Sequence, residues 1–338
     1  MAKLKDIAEA TGFSISTISR ILSHDQNFNA SEQTRLKILS AAEKLNYVSP
    51  SRRRQTIIGD RQVEEKTVTI GLAYWYSTTD ELADPYYLSI RLAIEAYCDA
   101  HQITLKLFYW HEKSDDEIKQ ANLDGLIALG KYSDAEIKAL HQLNPHFVLV
   151  DCYAKHPEID VVMVDLKEAT KEMIHYLHKT GVASIGFIGG IETTIDGKAL
   201  EDIRLKTFIK YEKADDDKIY LGTFNADSGY EIMNHIIKSG HIQSAYIAAN
   251  DVIAVGCLKA LNEHQIKIPD EVALVGYNNI ALSQYTIPAL TTIDLNTHHL
   301  GQTAAETMFE RIKTNRRLAK KIFIPTQLIK RASTKMEI

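Results

Sequence analysis

From residue 68 to residue 276 the chain alternates short apolar runs with stretches of helical spacing, and no other feature restricts its fold so much. The runs are Val68–Ala73, Leu105–Phe108, Gly125–Leu129 and Phe147–Asp151, then Ile185–Gly190, Ala245–Ala248 and Val272–Gly276. Helical patterns lie between them at 86–101, 169–180, 229–239 and 251–264. Strands that are apolar throughout are buried on both faces, so this rhythm predicts parallel sheets covered by helices on each side. The pattern makes two rounds, which predicts two similar doubly wound lobes.

A chain of 338 residues with 45% hydrophobic content has material for two or three domains. Its 39 Lys plus Arg against 44 Asp plus Glu leave a net charge of -5, so a surface that binds nucleic acid must be local. Cys98, Cys152 and Cys257 lie far apart, without a C-x-x-C spacing, which predicts neither a disulfide framework nor a zinc site and suits a reducing cytosol. No apolar stretch follows the charged start Met1–Asp6, and no run approaches the roughly 18 apolar residues of a membrane span. The expected location is the cytoplasm.

A local candidate for nucleic acid stands at the start of the chain. Leu4, Ile7, Ala8, Phe13, Ile15, Ile18, Ile21 and Leu22 keep helical spacing with one interruption at Thr11–Ser14. Gly12 tolerates the positive φ that ends a first helix, and Ser14 can cap a second. A third pattern, capped by Ser31 and carrying Leu36, Ile38, Leu39, Ala42 and Leu45, completes a three-helix unit. In a helix-turn-helix of this kind the second helix enters the major groove by its first residues. Ile15, Ser16 and Arg20 are therefore the expected base readers, with Ser14, Thr17 and Ser19 as phosphate contacts or caps. Arg52, Arg53 and Arg54, in a basic, turn-prone stretch behind this unit, are expected to face phosphates.

In the α/β part, ligands are expected beyond the carboxyl ends of strands. Asp151, Asn250 with Asp251, and Asn278 with Asn279 follow strands directly, and Arg204 opens a helix beyond Gly190. Carboxylates accept from vicinal hydroxyls, a guanidinium donates two parallel bonds and amides do both, so the set suits a polyol. Tyr74, Trp75, Tyr86 and Phe224 are candidates to pack on the apolar face of a sugar ring. Taken singly, each polar candidate is also an ordinary cap or turn former.

The segment from Leu4 to Leu22 resembles the signature of the lactose/galactose repressor family of bacterial transcription regulators, and Glu43–Tyr47 is similar too. The resemblance runs through Asp251, Pro288 and Thr291–Thr292 to an Arg331-x-Ser333 ending. It implies an α-helical helix-turn-helix headpiece on a periplasmic-binding-protein-like core with two parallel-sheet lobes. It implies a homodimer bound to operator DNA, with Tyr47 near the DNA backbone, and effector contacts at Asp151, Arg204, Asn250, Asn278 and Phe224. It also implies a hinge that inserts an apolar side chain, commonly leucine, into the minor groove. Here Gln55 and Thr56 stand at that place, with Ile57 and Ile58 just beyond. Asn278 replaces the aspartate common among sugar-binding members. Asp84–Arg91 and Phe224–Tyr230 look most like repressors of β-galactosidase operons, which implies a galactose-type inducer.

The expected division is 1–58 headpiece and hinge, 59–66 linker, 67–164 plus 294–322 N-terminal lobe, and 165–293 plus 323–338 C-terminal lobe. Neither a catalytic residue, a cofactor nor a metal is expected. Gly186–Gly190 lacks the G-x-G-x-x-G spacing, and there is no Walker loop, G-x-S-x-G or H-E-x-x-H. His298–His299 reads as a helix start and Asp215–Asp217 as a solvated loop. The rivals are a corepressor-dependent regulator that senses a non-sugar metabolite or a partner protein and, more remotely, an enzyme with a DNA-binding appendage.

Overall fold

A computed structural model of the chain describes residues 4–22, 34, 37–38, 41, 67–77, 81, 84–110, 115–193 and 199–335. The chain divides into two compact units, 1–66 and 67–338.

In the first unit, α1 (Leu4–Thr11) and α2 (Ile15–Leu22) are joined by the expected tight turn. Gly12 has φ +77°, and its N–H donates to the Ala8 carbonyl at 2.8 Å, which closes α1. Nothing lies within 4 Å of where a Cβ would stand, so the backbone conformation, not space, requires glycine. The Ser14 hydroxyl accepts from the Thr17 N–H at 3.2 Å and caps α2. Ile7, Ile18 and Ile21 are buried together with Ile38, whose backbone is helical. That fits a third helix, although Ser31, Leu36, Leu39, Ala42 and Leu45 lie outside the described residues.

The second unit holds two six-stranded sheets. The first is built from β1 (Thr69–Tyr74), β2 (Thr104–Tyr109), β3 (Gly125–Leu129), β4 (Phe147–Val150), β5 (Asp160–Val164) and β11 (Lys321–Ile324). All its pairs are parallel, in the order β11-β5-β4-β3-β1-β2. The second contains β6 (Ile185–Gly190), β7 (Ile219–Gly222), β8 (Ala245–Ala248), β9 (Ala273–Tyr277), β10 (Thr291–Asp294) and β12 (Gln327–Ile329). Its order is β12-β10-β9-β8-β6-β7, parallel except where β12 runs against β10. Strands β3, β4, β8 and β9 are buried at every residue, as their unbroken apolar runs predict. The first lobe carries α3 (Tyr86–Ala100), α4 (Asp115–Gln120), α5 (Asp134–Leu143) and α10 (Thr297–Thr314). The second carries α6 (Leu166–Lys179), α7 (Ile203–Glu212), α8 (Ala226–Ser239) and α9 (Asp251–Glu263). Helices α6 and α8 each begin three residues before the starts expected at 169 and 229, because Asp165 and Asn225 cap them.

The chain crosses between the lobes three times: after β5, between β10 and α10, and between β11 and β12. The expected boundaries at 293 and 322 need correction. Asp294 still belongs to β10, and Phe323 and Ile324 pair with Met163 and Val164 in the first lobe. The last crossing falls at Pro325, which has no N–H to continue a ladder. The second and third crossings are tied together by the Asn296 side chain, whose Nδ2 donates to the Pro325 carbonyl at 2.8 Å. No described helix is long and apolar enough to cross a membrane.

Candidate functional site

At the cap Ser14 and along α2, Ser14, Ile15, Ser16, Ser19 and Arg20 are exposed and Thr17 is half-buried, while Ile18 and Ile21 face the core. An isoleucine 49% exposed at the first position of a short helix leaves an apolar surface at that helix's start. The Ser14 hydroxyl also bonds to those of Ser16 at 2.8 Å and Thr17 at 2.9 Å, so a polar cluster of three hydroxyls flanks Ile15. Tyr47, Arg52, Arg53 and Arg54 lie outside the described residues, as do Ile57 and Ile58.

In the two-lobed unit one pocket gathers residues from both sheets, at the carboxyl ends of their strands. Of the eight candidates, Tyr86, Asp151, Arg204, Phe224, Asn250 and Asn278 line it. Asp151 and Asn278 follow β4 and β9 with φ of +58° and +102°, conformations that Asp and Asn tolerate better than branched residues. Their N–H groups remain tied to Val162 and Ile293, so the turn is anchored to the neighbouring strand.

Each charged group in the pocket has a defined setting. Asp151 Oδ2 accepts from the Tyr87 hydroxyl and from Lys131 Nζ, both at 2.8 Å. Asp202 caps α7 and forks onto Arg204, with Nε–Oδ1 and Nη2–Oδ2 at 2.9 Å, while Arg204 Nη1 donates to the Ala249 carbonyl at 2.5 Å. The guanidinium carbon lies 5.3 Å from the Phe224 ring centre and 5.8 Å from that of Tyr277. Phe224 rests on Gly190, where a Cβ would come within 2.4 Å of the ring. Burial opposes the charge on Arg204, yet Asp202 holds its pKa above the ordinary value. Burial pushes the carboxyls of Asp84 and Glu192 up, against the pull of Arg204 on both and of Lys131 on Glu192. Asn250 Nδ2 donates to Asp84 Oδ2 at 2.9 Å, joining the second lobe to the first, while Asn250 Oδ1 caps α9 by accepting from the Ile253 N–H.

Tyr74 and Trp75 do not line the pocket. Because β1 is buried on both faces, Tyr74 stays inside the lobe, edge-on to Tyr109. Trp75 packs against Tyr76 and Tyr87 from behind. The pocket residues not named among the ligand candidates are Tyr76, Asp84, Tyr87, Lys131, Leu166, Glu192 and Leu295, of which Asp84 and Tyr87 fall in the Asp84–Arg91 segment of the resemblance. The strand-end rule reaches Lys131, two residues past β3, and Glu192, two past β6, whereas Leu166 and Leu295 sit at lobe crossings that only the fold reveals. Among the described residues no group of three or more His, Cys, Asp or Glu is placed to hold a metal ion.

A helix-turn-helix unit in one chain with a two-lobed core that collects polar groups between its sheets defines a ligand-sensing DNA-binding regulator. Residues 3–50 match the bacterial regulatory proteins of the lacI family, and residues 174–334 match a periplasmic binding protein-like domain. The chain is 36% identical over 341 residues to the HTH-type transcriptional regulator GalR of Lacticaseibacillus casei, covering 99% of this chain and all of that one. It is equally similar, at 36%, to the regulator GanR of Bacillus subtilis, with 98% and 99% of the two chains covered. The lac repressor dimer bound to operator and an anti-inducer superposes with a TM-score of 0.68 at 21% identity, over 98% of both chains. The chain therefore belongs to the lacI family of DNA-binding transcriptional regulators, and its relatives are regulators, not enzymes.

Proposed function

We propose that the protein is a dimeric repressor of a sugar-utilisation operon, acting in the cytoplasm and released from its operator by a galactose-type sugar. The observation that carries this reading is the interlobe pocket, where carboxylates, a guanidinium, two amides and aromatic rings converge from both sheets. Ile15, Ser16 and Arg20 would read bases, with Ser14, Thr17 and Ser19, then Tyr47 and Arg52–Arg54, on the backbone of a near-palindromic operator. The pocket encloses about 40 Å3, room for a few waters, whereas a cavity that admits a benzene-sized ring is roughly 150 Å3. A sugar ring therefore enters only as the lobes part and the Asp84–Asn250 bond opens, and its differential affinity for the two arrangements is the source of coupling to DNA.

The test is binding of the purified protein to its own upstream DNA at fixed salt, with and without galactose, lactose and related sugars. Release of a specific complex by one sugar, with coupling on the order of 5- to 150-fold, is the expected result. Tighter binding with ligand would make it a corepressor, and a specific complex that no sugar alters would remove the sugar assignment.

A further inference from the structure

We propose that Ile15 reads a thymine through its 5-methyl group, so that each operator half-site carries a thymine recognised by apolar contact and not by a hydrogen bond. This rests on the reading of Ile15 as a base reader above. The DNA-binding unit closes its core without this residue. Ile7, Ile18 and Ile38 are fully buried and Ile21 nearly so, and Leu4, Ala8, Phe13 and Ala41 pack against them. Among the described residues Ile15 belongs to neither group. It leads α2 instead, 49% exposed, in the turn that a helix-turn-helix presents to the major groove. An isolated exposed isoleucine is ordinary elsewhere on a surface, but at this position it stands where base edges come to lie.

The chemistry of the groove leaves such a side chain one favourable partner. Along the major-groove edges guanine offers acceptors, adenine an acceptor and a donor, and cytosine a donor, while thymine sets a methyl group beside its acceptor. Isoleucine neither donates nor accepts. Over a guanine or an adenine it would strip water from polar groups and return no hydrogen bond, which is costly. Over thymine it removes two apolar surfaces from water together. Cytosine has the same ring position without the methyl, so it forfeits that contact. The neighbouring side chain does not replace Ile15 there. Ser16 is shorter, and its hydroxyl lies 2.8 Å from that of Ser14, which also accepts from the Thr17 N–H. Of the exposed side chains in the first turn of α2, Ile15 is therefore both the longer and the apolar one.

The experiment titrates the full chain, at fixed salt, against the tightest duplex that it selects from a pool of random sequences. Each thymine is replaced in turn by deoxyuridine, in both half-sites together, which removes the methyl group and leaves base pairing intact. At one symmetric position the native chain should lose about fourfold in affinity per methyl, or roughly fifteenfold for the two half-sites. In Ile15→Ala the same replacement should cost less than about twofold, the coupling between side chain and methyl having gone. Deoxycytidine at that position should bind less well than 5-methyldeoxycytidine by a similar factor, again only with Ile15 in place. Should Ile15→Ala bind too weakly to titrate, Ile15→Val, which loses the terminal carbon alone, should shrink the penalty. A duplex in which no thymine methyl matters, or a penalty that the variants leave unchanged, overturns the inference and leaves the helix-turn-helix reading standing. Selection of no specific duplex at all counts against that reading itself.

Discussion

Arg204 is held by a fork to Asp202 on one side and by ring faces on two others, so its direction is set before any ligand arrives. Arg204→Lys keeps the charge that Asp202 needs but loses the planar fork. Sugar affinity in a calorimetric titration should fall at least tenfold, near the lower end of what a charge-assisted bond of about 1.5–3 kcal/mol contributes. Unchanged affinity would remove Arg204 from the site. Asp251 illustrates a different use of charge. Its Oδ1 accepts from the Thr292 hydroxyl at 2.6 Å and Oδ2 from the Ile280 N–H at 2.9 Å, but burial pushes its pKa up to about 7 in spite of them. The folded chain then holds this proton more tightly than the unfolded chain does. Its contribution to stability is greatest at low pH and is lost as pH rises from about 4 to about 7. The melting temperature of the native chain relative to Asp251→Asn should therefore decline across that interval. A rise would mean that Asp251 is ionised in the fold.

At the scale of elements, the first lobe is fastened by an ion cluster under its long helix. Asp160 on β5 is fully buried, with Arg311 of α10 at 3.0 Å and Arg316, just past that helix, at 2.8 Å. Asp160 Oδ1 also accepts from the Lys320 N–H ahead of β11 at 2.5 Å, so one carboxylate joins a strand, a helix and the return to the sheet. Arg311 is only 4% exposed, and removing Asp160 would leave its charge buried without a counter-ion. Asp160→Ala should cost about 3–5 kcal/mol in urea unfolding, and a loss under about 1 kcal/mol would show that the cluster is not a fastening. The elements themselves were largely legible. Period 3.6 with a glycine break marked α1 and α2, and unbroken apolar runs marked the buried strands. Helix starts were less so, because Asp165 and Asn225 act as caps upstream of the first apolar residue of α6 and α8. Among site residues, those placed by a strand end were readable, and six of the eight ligand candidates do meet in one pocket. Trp75 misled because an aromatic beside a strand end reads alike whether it faces a cleft or, as here, supports Tyr76 and Tyr87 from behind. Leu295 and Leu166 carried no signal, since what brings them to the pocket is the crossing of the chain between lobes.

For the whole molecule, each lobe is assembled from stretches far apart in sequence. β11 forms an edge of the first sheet and β12 an edge of the second, and both lie within residues 321–329. A ribosome that has made the first 320 residues has produced ten of the twelve strands, yet neither sheet has its final edge. Both sheets then reach completion within the same nine residues, Lys321–Ile329. A premature stop anywhere before Lys321 would strip the two lobes together, so no truncated product ending there carries one finished half of the sensor.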